Sequence, residues 1–275
     1  MTETPTPPSN AEDVADLYDE LSEFHARICD NNLHLGFWKD EHDLSSFQAA
    51  TEQLTTEMVT RLAPEDGQRV IDLGCGIGQP AFGLARAHRV EVVGITVSVR
   101  QVERATARAR ELDLAERVTF ERADALALPY ADASFDAGWF FESLIHMPDK
   151  GRALEEAARV LKPGARLAIA DMFHEPELDW SAIHPLASAI QLDRYAPLLE
   201  QSGFEVLTVE DVTPHILVPD PVRVELRLQM LEHRDDWVRI AGEDVVKAML
   251  DPEVNTFYTP GLGYALITAE RRRQV

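Results

Sequence analysis

Three glycines at alternate positions, Gly74, Gly76 and Gly78 in VIDLGCGIGQ, follow one apolar run and lead into a helical pattern. Glycines so placed either let a ligand touch the backbone or close a tight turn. A loop opening a helix offers unpaired N–H groups and the positive end of the helix dipole, which together receive a carboxylate or a phosphate. Asp72 stands just before that loop, and Thr96, Asp124, His146 and Asp171 stand near the ends of later apolar runs. An unperturbed imidazole titrates at about 6.5, so His146 suits proton abstraction near neutrality. A structural histidine fixing the HMPD turn is the plainer reading. Asp171 is the second candidate base, or equally a cap on the loop after it.

These residues need a frame that brings strand ends together. RVIDLG, VEVVGIT, RVTFERAD, SFDAGWFF and ARLAIADMF are short runs rich in Val, Ile, Leu and Phe, with helical stretches between them. Strands alternating with helices, and nearly continuous in apolar residues, argue for a parallel sheet covered on both faces. FEVLTVEDV and GYALITAERR bring the expected strand number to seven. The fold class expected is α/β, Rossmann-like: a seven-stranded, mostly parallel sheet with helices on both faces. Residues 1–10 read as a disordered tail and residues 11–66 as an N-terminal helical cap. Residues 67–275 form the core, with helical substrate-cap insertions near 173–190 and 213–255.

The formal net charge of −22 disfavours nucleic acid and anionic membranes as partners, because both are bound largely through Lys and Arg. No apolar run reaches the ~18 residues of a membrane span, and the N-terminus lacks the basic and apolar regions of a secretory signal. Cys29 and Cys75 are the only cysteines, which suits a reduced, cytoplasmic chain and leaves no zinc-finger ligand set. The histidines show no H-E-x-x-H or similar spacing, so no metal is expected. A dinucleotide site is disfavoured at two points. Gln79 stands where G-x-G-x-x-G needs its last glycine, and Thr96 stands where an NAD enzyme places an acid for the ribose.

LHLGFW, DLGCGIGQP, LPYADASFDA and ESLIHMPDKGRALEEAARVLKPGARLAIAD occur in that order along the chain. This succession, from about Tyr18 to Ala269, resembles the class I S-adenosylmethionine-dependent methyltransferases. The likeness is strongest to bacterial small-molecule enzymes of specialised metabolism, a group akin to the tocopherol and sterol methyltransferases. The resemblance implies S-adenosylmethionine as cofactor, its methionine part on Gly74 to Gly78 beside Asp72. It implies ribose contacts near Thr96 and Gln101, adenine contacts at Asp124 and Ala125, and Tyr18 and Trp38 closing over the pocket. Thr96 departs from the acid found in most of the class. Ser98 and Gln101 also fit a capping box, with Ser98 as N-cap, and Asp124 also fits a turn before a helix. Phe37 is expected to anchor by burial alone.

The resemblance also implies an in-line methyl transfer, in which the protein aligns donor and acceptor and excludes water. A base is needed only if the acceptor must lose a proton. Relatives that methylate sugar hydroxyls can carry two consecutive histidines where this chain has Ile145-His146. With Phe141, Ile145 and Trp180 as candidate pocket residues, the site suits an apolar acceptor. An alkene acceptor would leave a carbocation that aromatic faces stabilise. The expectation leans to C-methylation of a prenylated or terpenoid small molecule, with O-methylation of a sugar or macrolide hydroxyl as the alternative. A non-catalytic partner protein of the same fold stands further off, since its glycine loop would be lost. The N-terminal helices are able to pack on a second copy.

Overall fold

Phe47–Leu62 forms α1, whose buried positions Phe47, Ala50, Thr51, Leu54, Thr55, Met58, Val59 and Leu62 follow the three-and-four spacing of a helix face. Ser46 caps its first turn by accepting the Ala49 amide at 3.2 Å. Ala63, in the left-handed region, ends the helix and returns its N–H to Val59 O. The computed structural model describes residues 32–40, 42–176, 178, 187–251 and 261–273. Tyr18, Trp180 and the 1–10 tail lie outside the described residues.

Strands and helices then alternate: β1 (Arg69–Leu73), α2 (Gln79–Ala87), β2 (Glu91–Thr96), α3 (Val99–Glu111), β3 (Val118–Arg122) and β4 (Phe135–Phe141). A single 3₁₀ turn at Leu144–His146 precedes α4 (Lys150–Val160), β5 (Leu161–His174), α5 (Leu192–Gln201) and β6 (Phe204–Asp211). Among the described residues the expected long helical insertion holds four helices: α6 (Thr213–Ile216), α7 (Asp220–Glu232), α8 (Arg234–Ala241) and α9 (Glu243–Leu250). Gly242, at φ 83°, ends α8 where the sequence pattern runs on. β7 (Leu262–Arg271) completes the sheet.

The sheet has seven strands in the order β3-β2-β1-β4-β5-β7-β6. Pairings from β3 through β5 are parallel, and β7 runs antiparallel to both its neighbours. Alternation along each strand divides the core between two faces. Val70, Ala137, Trp139, Ala168 and Leu266 meet α1, α2 and α3 on one side. Ile71, Phe140, Leu167, Ile169 and Ile267 meet α4 and α5 on the other.

Helix α1 is therefore part of a packed layer of the sheet, with Leu54, Met58 and Leu62 fully buried against it. The order of connection reverses beside β1, whose neighbours are β2 and β4. The crevice beyond the carboxyl ends at such a point is where open α/β sheets hold their ligands.

Candidate active site

The loop after β1 is shaped by its glycines. Gly74 and Gly78 sit at φ 95° and 85°, a region that side chains rarely adopt. A Cβ on Gly74 would lie 2.3 Å from the Ser143 Cβ, and one on Gly78 would lie 2.4 Å from the Phe120 ring. The loop is held at its base, where the Ser143 hydroxyl donates to Leu73 O. The loop so packed lines a cleft of about 330 Å³.

Asp72 forms one wall of that cleft and is almost fully buried. Among the described residues neither carboxyl oxygen has a hydrogen-bond partner. Trp139, register-paired with Asp72 across β4, draws the carboxyl down slightly, yet its indole N–H meets hydrogen-bond geometry with neither oxygen. Burial dominates and pushes Asp72 up to about 7. A buried carboxyl with both oxygens unpaired calls for a donor from the cleft, such as the ammonium of an amino acid.

At the end of β2, Thr96 donates to Gln101 Oε1 at 2.5 Å, and both residues line the cleft. Ser98 caps α3 by accepting the Gln101 amide at 3.1 Å. Half of the expected capping box forms. The Gln101 side chain turns to the strand end rather than back to Ser98. Asp124 and Ala125 line the cleft after β3, and Asp124 Oδ1 also accepts the Leu126 amide at 2.9 Å, the turn role.

The HLGFW segment is divided differently from the expectation. Trp38 does not line the cleft. It is 2% exposed in a separate cluster with Phe47, Ala50, Val222 and Leu226, and its indole donates to Ser45 O at 3.0 Å. Phe37 is buried and stacks on His215, as an anchor. Leu33 and His34 are the residues that reach the cleft. His34 stacks on Phe141 at 4.3 Å, and burial pulls its imidazole down to about 4, so it is neutral near pH 7. Its Nδ1 lies 2.8 Å from Leu35 O, which can only accept, so Nδ1 carries the proton.

Beyond β4, Phe141 and His146 line the cleft, whereas Ile145 and Asp171 do not. Ile145 packs against Ala187 and Ala189. Asp171 is wholly buried behind the 3₁₀ turn, bonded by the Tyr195 hydroxyl at 3.2 Å and the Met172 amide at 3.0 Å. Burial raises it to about 7.

Glu142 is a cleft residue that sequence reasoning missed. It holds φ 49°, an uncommon conformation for a residue other than glycine. Its Oε1 accepts both the Leu35 amide at 2.8 Å and the Tyr264 hydroxyl at 2.7 Å, and burial pushes it up to about 7. In the sequence it is one acid among 48. Only contacts from residue 35 and residue 264 distinguish it.

Among the described residues no helix is long and apolar enough to cross a membrane, and no group of three or more His, Cys, Asp or Glu is placed to hold a metal ion.

Residues 64–215 match a protein family described as a methyltransferase domain. The chain is 36% identical to a methyltransferase GfsG of Streptomyces halstedii, over 94% of this chain and 93% of that one. It is 36% identical to a 27-O-demethylrifamycin SV methyltransferase of Amycolatopsis mediterranei, over 97% and 98%. Among solved structures it resembles the [4+2]-cyclase SpnF, at 30% identity and a TM-score of 0.83, over 98% and 100%.

Proposed function

The chain belongs to the S-adenosylmethionine-dependent small-molecule methyltransferases of natural-product biosynthesis, and we propose that within them it methylates a hydroxyl oxygen of a largely apolar acceptor. When bound, S-adenosylmethionine supplies an electrophilic methyl group and leaves as a neutral thioether. The residues present fit it. Asp72 offers its unpaired carboxyl to the amino group, and the Gly74–Gly78 backbone lies against the methionine part. Thr96 and Gln101 take the ribose, and Asp124 and Ala125 the adenine. Leu33, His34 and Phe141 form a largely apolar wall that excludes water.

The observation that carries the oxygen reading is His146. It is the titratable side chain of the 3₁₀ turn that lines the same cleft as the glycine loop, while Asp171 is walled off. In this reading His146 accepts the proton of the acceptor hydroxyl as the oxygen is methylated. The relative named for a 27-O-demethylrifamycin substrate supports oxygen over carbon, which reverses the slight lean drawn from the aromatic residues. C-methylation of a prenylated or terpenoid acceptor remains the second reading. It is favoured by the aromatic faces of His34 and Phe141, stacked at the cleft, which suit a carbocation.

The two readings part on His146→Ala. For a hydroxyl acceptor, losing the base costs ~10²–10⁴ in rate, and raising the pH restores part of it because the hydroxyl ionises unaided. For an alkene acceptor, cofactor consumption stays within about tenfold, roughly 1.4 kcal/mol of barrier, and the product distribution changes instead. Mass spectrometry of small molecules retained by the purified protein identifies the acceptor to be used.

A further inference from the structure

Lys150, the first residue of α4, is 7% exposed, which is unusual for a lysine. Its ammonium turns back under the 3₁₀ turn and donates to Leu144 O at 3.0 Å, Ile145 O at 3.3 Å and Met147 O at 3.2 Å. It also donates to the Ser188 hydroxyl at 2.9 Å. Ser188 in turn donates its amide to Ile145 O at 2.8 Å, which ties the segment entering α5 to the same turn. The Asp171 carboxyl, bonded by the Met172 amide and the Tyr195 hydroxyl, lies near enough to favour the charged form of the Lys150 ammonium. The turn is gripped by a buried ammonium with a buried carboxyl close by, and neither group lines the cleft.

We propose that Lys150, opposed by Asp171, is a positioning residue that sets the orientation of the His146 imidazole in the cleft. The proposal rests on the reading of His146 as proton acceptor but is tested on the ring itself. A turn of three residues has too few internal hydrogen bonds to hold one geometry. Its carbonyls need an outside donor, and a charged donor binds them about twice as strongly as a neutral one. The ammonium meets four acceptors with three hydrogens, so no neutral side chain of similar length replaces it. Desolvation lowers Lys150 to about 8, with Asp171 of β5 drawing it back up. The charged and titratable groups around the pair are Asp171, Tyr195 of α5 against that carboxyl, and Glu142 and Tyr264 beyond it, with Asp149 capping α4.

The test is an NMR titration of the His146 ring, assigned with His146→Gln, in the full chain with S-adenosylhomocysteine bound. In wild type the His146 resonance should show its own titration and a second inflection between pH 7 and 10, as Lys150 loses its proton. Lys150→Arg, which stays protonated, should remove the second inflection. Lys150→Met should shift or double the His146 resonance at every pH, with S-adenosylhomocysteine affinity by calorimetry staying within about threefold of wild type. If Lys150→Met does not fold, Ser188→Ala removes one acceptor and should give a smaller shift of the same resonance. A single-step wild-type titration, or superimposable His146 resonances in wild type and the folded variant, would overturn the proposal. Loss of activity in His146→Ala is not needed for this result, so a failure of the oxygen reading is told apart from a failure of this one.

Discussion

The Leu35 amide donates to Glu142 Oε1 at 2.8 Å, across 107 residues of sequence. This bond fastens the segment carrying His34 to the residue after β4, so one side chain ties together two stretches that line the cleft. The Tyr264 hydroxyl, from β7, completes the grip on the same oxygen.

Glu142→Ala should therefore destabilise the protein by about 1–3 kcal/mol, because it leaves a buried amide without its acceptor. Glu142→Gln keeps an oxygen for Leu35 and should lose less. Urea unfolding measures both. Equal losses in the two variants would show that the glutamine oxygen does not stand in for the carboxyl as acceptor of the Leu35 amide.

The same carboxyl carries a pH dependence. Its folded value, about 7, lies above the ordinary 4.5, so between these limits the folded state binds more protons than the unfolded state. Stability from Glu142 then falls as pH rises through that window. Comparing wild type with Glu142→Gln cancels the other groups, including His34, whose lowered value acts in the opposite direction. The stability difference, wild type minus variant, should shrink from pH 5 to pH 7.5; a difference that grows would contradict this.

Asp72 is protonated in part below neutrality for the same reason, and an ammonium placed beside it favours its ionised form. Binding of S-adenosylhomocysteine at pH 6 should release a fraction of a proton, seen as a dependence of the calorimetric heat on the ionisation enthalpy of the buffer. Asp72→Asn should abolish the dependence. Buffer-independent heats in wild type would place the amino group elsewhere.

Gly78→Ala combines a left-handed backbone with a Cβ that meets Phe120 at 2.4 Å, so the loop or the ring must move. Affinity for S-adenosylhomocysteine should drop at least about tenfold, equivalent to roughly 1.4 kcal/mol. Gly67→Ala is the control. It has the same φ of 85° but nothing within 4 Å of the new Cβ, so it should show backbone strain without loss of binding.

Trp38→Ala should cost about 3–5 kcal/mol, the range for emptying a buried aromatic site. Since Trp38 packs among Phe47, Ala50 and Val222 rather than in the cleft, the folded fraction should bind S-adenosylhomocysteine as wild type does. A large loss of affinity at full folding would return Trp38 to the binding site.

What the sequence alone determined is whatever depends on local pattern and spacing. Seven apolar runs with helical stretches between them specify a covered sheet, because strand and helix periods are written into neighbouring residues. Gly74 to Gly78, Thr96, Asp124 and His146 come to the cleft for a related reason: in this fold the residues that follow a strand end lie at the crevice, whatever the side chain does next. Direction and depth are different. In sequence Asp171 and His146 both read as strand-end residues, yet Asp171 lies buried within β5 while His146, in the turn after β4, lines the cleft. Trp38 and His34 lie four residues apart, and packing against α7 draws one into a separate cluster while Phe141 holds the other at the cleft. Glu142 and Lys150 gained their raised and lowered ionisation from burial among β4, β5, β7 and the turn. Desolvation and long-range hydrogen bonds are sums over neighbours distant in the chain, so only the tertiary structure decided them.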